Sequence, residues 1–507
     1  MTGAEPQRDL PGSLDSTFGP HLLAVCERTA QALASCGYDG LLVYAGSPLP
    51  VFEDDRTYPF EANAPFKVWV PLSDAPGSFV WFVPGSPPRL IVERPEDYWH
   101  KAPSAPQGYW VRHFEVHTAA ERAAARALLP ADLSRAAYIG EAFDGLDDFG
   151  VGAINPRPLL RRLDYVRAAK TPYELVCLRE ANRLGALGHV AAAAAFAAGA
   201  SEFEIELAFL EACSLREQEL PYNPIIALNA SAAVLHYQVL EKNGPPERHS
   251  LLIDAGAEFA GYASDITRTH ARADRDFAAL IVRMDEMQQS LCAGVRAGVD
   301  WRDVQLRAHE LTAEVLRDAD LVRCSTAEAV GSGVTRVFLP HGIGHLLGLE
   351  VHDVGGLMRS AEGGEIPGGA RIGARDVARI AGKLGSGIDQ QRVPLGRRLL
   401  LEHLIVQHRR RGVERDDGVV GQLLLAQAAR FEESELDLEL RRSRGEGRRG
   451  RHVAESSEPV GLAQARELVR CLRRAKVIQS VQQRPRIDGA HSEVVESVER
   501  VTDVSGT

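Results

Sequence analysis

Paired cysteines are missing from the chain: there are seven, an odd number, and none stands in a C-x-x-C spacing. That argues against a disulfide framework and removes a thiolate zinc site, so reduced thiols in a cytoplasmic setting are expected. No run of about 18 apolar residues occurs, and no membrane-spanning helix is expected. The opening residues, MTGAEPQRDLPGS, contain neither a basic nor an apolar stretch, so no secretory leader is expected. Positive charge is in deficit, with a formal net charge of −11, which argues against nucleic acid or an anionic membrane as partner. Aromatic rings all but vanish toward the end. Between Arg359 and Thr507 the only one is Phe431, and 25 arginines stand against two lysines, Lys383 and Lys476.

What is present is an ordinary globular composition, 45% apolar and 25% charged, in 507 residues, enough for two or three domains. His21 to Ser35 has helical apolar spacing and stops at Cys36-Gly37, before the apolar strand Gly40 to Gly46. Strand-like runs follow at Lys67 to Val70, Ser78 to Val83 and Leu90 to Val92. They predict an amino-terminal α/β domain over 1–166. From Thr171 a long alanine-rich helix carries proline in its first turn and Gly199 at its end, and Ser201 with Glu204 forms a capping-box signature for the next helix. Helices and hairpin-like strands then alternate, which predicts an α+β domain over 167–358. The rest, 359–507, has too few rings for a core of its own. Its charge-dense pieces, such as Arg441 to His452, read as solvated or disordered, while Leu399 to Val406 could form an isolated helix.

Three segments carry chemistry. In Ser250 to His270, SLLIDAGAEFAGYASDITRTH, an apolar run ends in Asp254 and a second strand bears Asp265. A hairpin turning at Phe259-Ala260 would set these aspartates directly opposite, where two carboxylates can share a pair of metal ions. The bland alternative is a surface hairpin with two solvated aspartates. In Phe338 to Gly356, FLPHGIGHLLGLEVHDVGG, the histidines His341, His345 and His352 crowd together beside Asp353, although the whole chain has only 16. Imidazole is the commonest side-chain metal ligand and a natural proton shuttle, and the pattern is not the H-E-x-x-H of one-zinc peptidases. In Tyr222 to Gln238, His236 follows an apolar stretch; alone, it reads as a satisfied, half-buried histidine.

Together, in this order, the three segments resemble bacterial Xaa-Pro dipeptidases (prolidases) of the pita-bread metallopeptidase family. Val51 to Leu72, VFEDDRTYPFEANAPFKVWVPL, and PEDYWH, Pro95 to His100, resemble the dipeptidase branch in particular. The resemblance spans about residues 20 to 358. It implies a pita-bread catalytic domain behind the α/β domain, with Asp254, Asp265 and His345 as metal ligands and Asp265 bridging. It further implies two divalent ions, Mn2+ by the hardness of the ligands, and a bridging hydroxide that attacks the Xaa-Pro bond. His236 and His352 would contact the substrate, an Xaa-Pro dipeptide. A homodimer is implied by the family alone, as is hydrolysis of organophosphorus esters by some members. The runner-up among enzymes is an aminopeptidase P-like exopeptidase; metal-free creatinase-like members are disfavoured by the two aspartates and His345.

Two further carboxylate ligands belong to the resemblance, one in an E-P-G turn and one in an R-I-E-D-like strand, and neither motif occurs. Glu365, in GEIPGG, follows His345 too soon, and Ile487-Asp488, in PRIDGAH, stands too far along. Three ligands of five predict weakened metal binding. From a different class, the competing reading is a catalytically inactive or misfolded product that keeps only the front half. An arginine-rich, ring-poor stretch is what out-of-frame reading of GC-rich DNA gives, so a shifted frame near codon 358 is expected. Translating the other two frames downstream of that codon should produce E-P-G and R-I-E-D-like segments, and their absence from both would refute the shift.

Overall fold

The computed structural model describes residues 14–365 other than His100 and Ala102. The expectations for Leu399 to Val406, Arg441 to His452 and Ile487-Asp488 lie outside the described residues.

The chain opens with helix α1, Leu14–Cys36, which runs through Pro20 rather than starting after it. Proline within a helix costs a backbone hydrogen bond. Burial of Phe18 and Leu22 on either side favours continuing the helix. Strand β1, Gly40–Tyr44, is buried at every position. Next comes a single helical turn, α2, Ala64–Lys67, where the sequence predicts the strand Lys67 to Val70. Asn63 caps it by accepting from the Phe66 amide, and Pro65 sits in its first turn. That local capping overrides the β-propensity of the following residues.

Strands β2 (Phe79–Phe82), β3 (Arg89–Glu93) and β4 (Glu115–Ala119), the short helix α3 (Arg122–Ala125), and strands β5 (Ala136–Ile139) and β6 (Ala153–Ile154) follow. They form one mixed sheet in the order β4-β3-β2-β1-β5-β6. Leu41 and Val43 pack toward α1, whereas Leu42 and Tyr44 pack on the opposite face with Phe79 and Tyr138. The alternation is the period-two pattern of a strand covered on both faces.

Helix α4, Arg157–Arg167, leads to the long helix α5, Pro172–Ala198. Thr171 and Glu174 form a reciprocal capping box at its start, and Gly199, with φ of 94°, closes it. Helix α6, Glu202–Cys213, has the Ser201/Glu204 box that the sequence predicts. Strands β7 (Ile225–Leu228), β8 (Ser250–Ala255) and β11 (Ile266–Ala271) make a three-stranded sheet in the order β11-β8-β7. The tip of the β8–β11 hairpin carries the two-residue strands β9, Glu258–Phe259, and β10, Tyr262–Ala263. Helices α7 (Arg275–Gly294), α8 (Trp301–Asp318), α9 (Thr326–Gly331) and α10 (Val334–Phe338) and the hairpin β12 (Met358–Ser360) and β13 (Gly363–Glu365) complete the described chain.

The hairpin turns one residue later than the sequence suggests. Ala260 and Gly261 both have positive φ, 52° and 85°, the signature of a two-residue type I′ turn, whose second position favours glycine. Phe259 therefore pairs with Tyr262, and Asp254 pairs with Thr267 rather than with Asp265. The two aspartates stand on a diagonal of the same face.

Two buried ion clusters fix this hairpin and the loop after α10. Lys67, only 4% exposed, is held between Glu61 and Glu258 at the hairpin tip, and Ser73 donates to Glu258 at 2.6 Å. Asp353, which the sequence placed beside the histidines, instead accepts from Arg167 and Lys170, both at 2.6 Å, with its side chain 2% exposed. Removing Asp353 leaves Lys170 buried without its counter-charge and Arg167 with only the half-exposed Glu350. Asp353→Ala should therefore lower stability by about 3–5 kcal/mol, read as a reduced denaturation midpoint of the full chain.

Candidate metal centre

The site is built on the face of the β7–β8–β11 sheet that points away from α5 and α6. Leu251, Ile253 and Ala255 of β8 fill the core beneath, so Leu252 and Asp254 face outward. Asn229, at the end of β7, accepts from the His249 and Ser250 amides and donates to the Glu247 carbonyl, which fixes where β8 begins.

Tyr222, just before β7, joins the two aspartates. Its hydroxyl lies 2.7 Å from Asp254 Oδ1 and 3.1 Å from Asp265 Oδ1. Burial, reinforced by the two carboxylates, pushes the phenol far above its ordinary value, so it remains a donor. The sequence reading passed over Tyr222: its partners stand 32 and 43 residues away, and no local pattern marks them.

His345 Nε2 meets Asp265 Oδ2 at 2.9 Å, and its Nδ1–H donates to the Leu346 carbonyl at 3.1 Å. With an acceptor at each nitrogen the ring donates on both sides; Nε2 would present a lone pair only after losing its proton, while the Leu346 carbonyl keeps the other proton on Nδ1. The hydrogen bond from His345 holds Asp265 below the usual carboxylate range, and the same contact raises His345. Asp254 moves the other way, because burial raises it. The His352 ring lies 4.3 Å, centroid to centroid, from that of His345.

All five residues singled out from the sequence, Asp254, Asp265, His345, His236 and His352, line one cleft. His236 is exposed there rather than half-buried, carried on a loop that buried Glu202 secures by accepting from Tyr237 and from the Glu241 and Leu228 amides. His341 lines the same cleft and, among the described residues, bonds to the neighbouring Gly342 carbonyl. The cleft measures about 2800 Å³, so the described residues form an open trough, well beyond the usual ligand pocket of roughly 300–1,000 Å³.

Two carboxylates and an imidazole are a donor set suited to a hard divalent cation. Among the described residues, however, no group of three such side chains forms a ready metal shell. The reason is visible in the contacts: the Tyr222 hydroxyl and the Asp265–His345 bond occupy the very oxygens and nitrogen that a cation would take. The E-P-G and R-I-E-D-like glutamates are not in the chain to relieve that.

Residues 16–165 match the family described as "Xaa-Pro dipeptidase, N-terminal domain", and residues 176–373 match "Metallopeptidase family M24". The chain is similar to a Xaa-Pro dipeptidase of Stenotrophomonas maltophilia, 46% identical over 357 residues, which cover 70% of this chain and 80% of that protein. A Xaa-Pro dipeptidase of Shewanella woodyi is 42% identical over 353 residues, with the same two coverages. Among solved structures, the low-pH form of Escherichia coli aminopeptidase P has a TM-score of 0.55 at 19% identity, covering 68% of this chain and 84% of that one. Yersinia pestis proline aminopeptidase P II has a TM-score of 0.54 at 20% identity, covering 68% and 85%. These two show the likeness of fold.

Tyr222→Phe removes the one hydroxyl that both carboxylates share. In the presence of chelator this variant should lose about 2 kcal/mol of stability, the worth of a hydrogen bond to a charged group, measured by denaturant titration against the parent chain.

Proposed function

The chain belongs to metallopeptidase family M24, and from that membership we propose that its site acts in metal-dependent hydrolysis of Xaa-Pro dipeptides. The observation that carries the proposal is the convergence of Asp254, Asp265 and His345 through direct or hydroxyl-bridged contacts on one sheet face. The amino-terminal match to the Xaa-Pro dipeptidase domain favours a dipeptidase over an aminopeptidase P-like exopeptidase, since the solved neighbours speak only for the fold.

In this reading Asp254, Asp265 and His345 would hold the metal. Two divalent ions, Mn2+ by ligand hardness, would supply an activated water and polarise the scissile carbonyl. Tyr222 keeps the two carboxylates together before loading. His352, against His345, and His236, which lines the same cleft, contact the dipeptide and stabilise charge that develops on it. The Leu346 carbonyl keeps His345 in the tautomer that ligation needs. Absence of the two glutamate motifs weakens metal affinity, so turnover requires metal well above the level a five-ligand centre needs. No helix of the described residues is long and apolar enough to cross a membrane. A cytoplasmic setting and a homodimer are part of the same proposal.

The purified full chain should release proline from a Gly-Pro dipeptide when Mn2+ is added and stop when it is chelated. Asp265→Ala should lower that rate at least about 100-fold, the upper range for loss of a metal-organising group. If no proline appears at any Mn2+ concentration, the proposal is overturned in favour of a catalytically silent chain.

A further inference from the structure

His345 lies in a loop whose two sides are anchored very differently. Downstream, Asp353 locks the chain to Arg167 and Lys170, its amide donates to the Leu346 carbonyl, and the Ala263 amide donates to the Gly348 carbonyl. Upstream, among the described residues, the His341 side chain bonds to its neighbour Gly342. The hold on that side comes from α8. The Trp301 indole N–H donates to the Ile343 carbonyl at 2.9 Å, and the Ile343 amide donates to Gln305 Oε1 at 2.8 Å. One helix face thus takes both backbone groups of one residue, two positions before His345.

A third side chain on that face, one turn further along, sets the orientation of the Gln305 amide. Gln305 Nε2 lies 3.1 Å from His309 Nε2, so the amide N–H donates to the ring and the oxygen is left for Ile343. Burial pushes the His309 imidazole down to about 4, which keeps it a neutral acceptor near neutral pH. Gly344 completes the fit. Its φ is +66°, and a Cβ there would stand 2.5 Å from the Trp301 ring, so only glycine lets the chain pass beneath the indole.

We propose that Trp301 and Gln305, with His309 behind them, are positioning residues that clamp Ile343 and so hold His345 against Asp265. The clamp rests on the reading of His345 as a metal ligand, and none of the three need touch metal or substrate. Support of this kind, applied through a neighbouring backbone, typically changes metal affinity about 10- to 100-fold when lost.

The test uses the full chain and four proteins: the parent, Gln305→Leu, Gln305→Glu and Trp301→Phe. Gln305→Glu keeps the accepting oxygen, and Trp301→Phe keeps an aromatic ring at the position while removing the indole N–H. Co2+ binding, followed by visible absorption, should weaken about 10-fold in Gln305→Leu, less in Trp301→Phe, and little in Gln305→Glu. A metal-free measurement runs beside it: the rate of diethylpyrocarbonate modification of His345, mapped by mass spectrometry. Breaking the clamp frees Nε2 from Asp265, so Gln305→Leu should react several-fold faster and Gln305→Glu at the parent rate. If the parent binds no Co2+, the metal-centre reading fails, and the modification rates alone decide the clamp. Equal rates in all four proteins overturn it, as does equal Co2+ affinity in a parent that binds. Should Gln305→Leu fail to fold, Trp301→Phe decides by the same two measurements.

Discussion

The geometry of the site depends on a turn of two residues. Ala260 and Gly261 both take left-handed backbone, and that choice sets the register of every pair down the hairpin to Ala271. Moving the turn by one residue shifts each partner by two positions, which keeps faces but changes neighbours. Asp254 and Asp265 consequently meet on a diagonal, too far apart for direct opposition and close enough for one phenol to reach both. Tyr222 is the physical answer to that spacing. Lys67, from the amino-terminal sheet's side, pins the same hairpin at its tip through Glu258.

The second constraint is a buried carboxylate. Asp353 sits among the histidines in the sequence, yet its charge is spent on Arg167 and Lys170 at the join of α4 and α5. The pair brings the histidine loop down onto the helices that lead into the catalytic half. His345 is thereby set against Asp265, which stands immediately before β11. Carboxylate meets imidazole there, and one hydroxyl lies within reach of both carboxylates. A cation competes with those bonds instead of entering a preformed shell.

Much of this was legible in the residues themselves. Capping signatures at Thr171 and Ser201, the Gly199 stop and the apolar strands β1 to β3 follow from local chemistry, and local chemistry decides them. The histidines His345 and His352 stand out by clustering and the two aspartates by their hairpin spacing, His236 only through the family resemblance, and the structure brings all five to one cleft. The failures have a common cause. The helix at α2 depends on Asn63, the passage of α1 through Pro20 depends on burial of Phe18, and the hairpin register depends on one positive φ at alanine. Tyr222 and the α8 residues act across 32 to 43 positions of chain, where pattern gives no warning.

One feature of the three-stranded sheet bears on how such a chain fares in solution. Among the described residues β11 is paired on one side only, by β8. Beside it, the α7 residues Leu280, Ile281, Met284 and Leu291 line the open trough. An unpaired strand edge next to apolar surface is a template for any extended segment that reaches it. Strand addition there would bury the apolar wall and satisfy the edge amides in one event. Among the described residues, that edge and the apolar wall beside it make strand addition the most direct route to self-association.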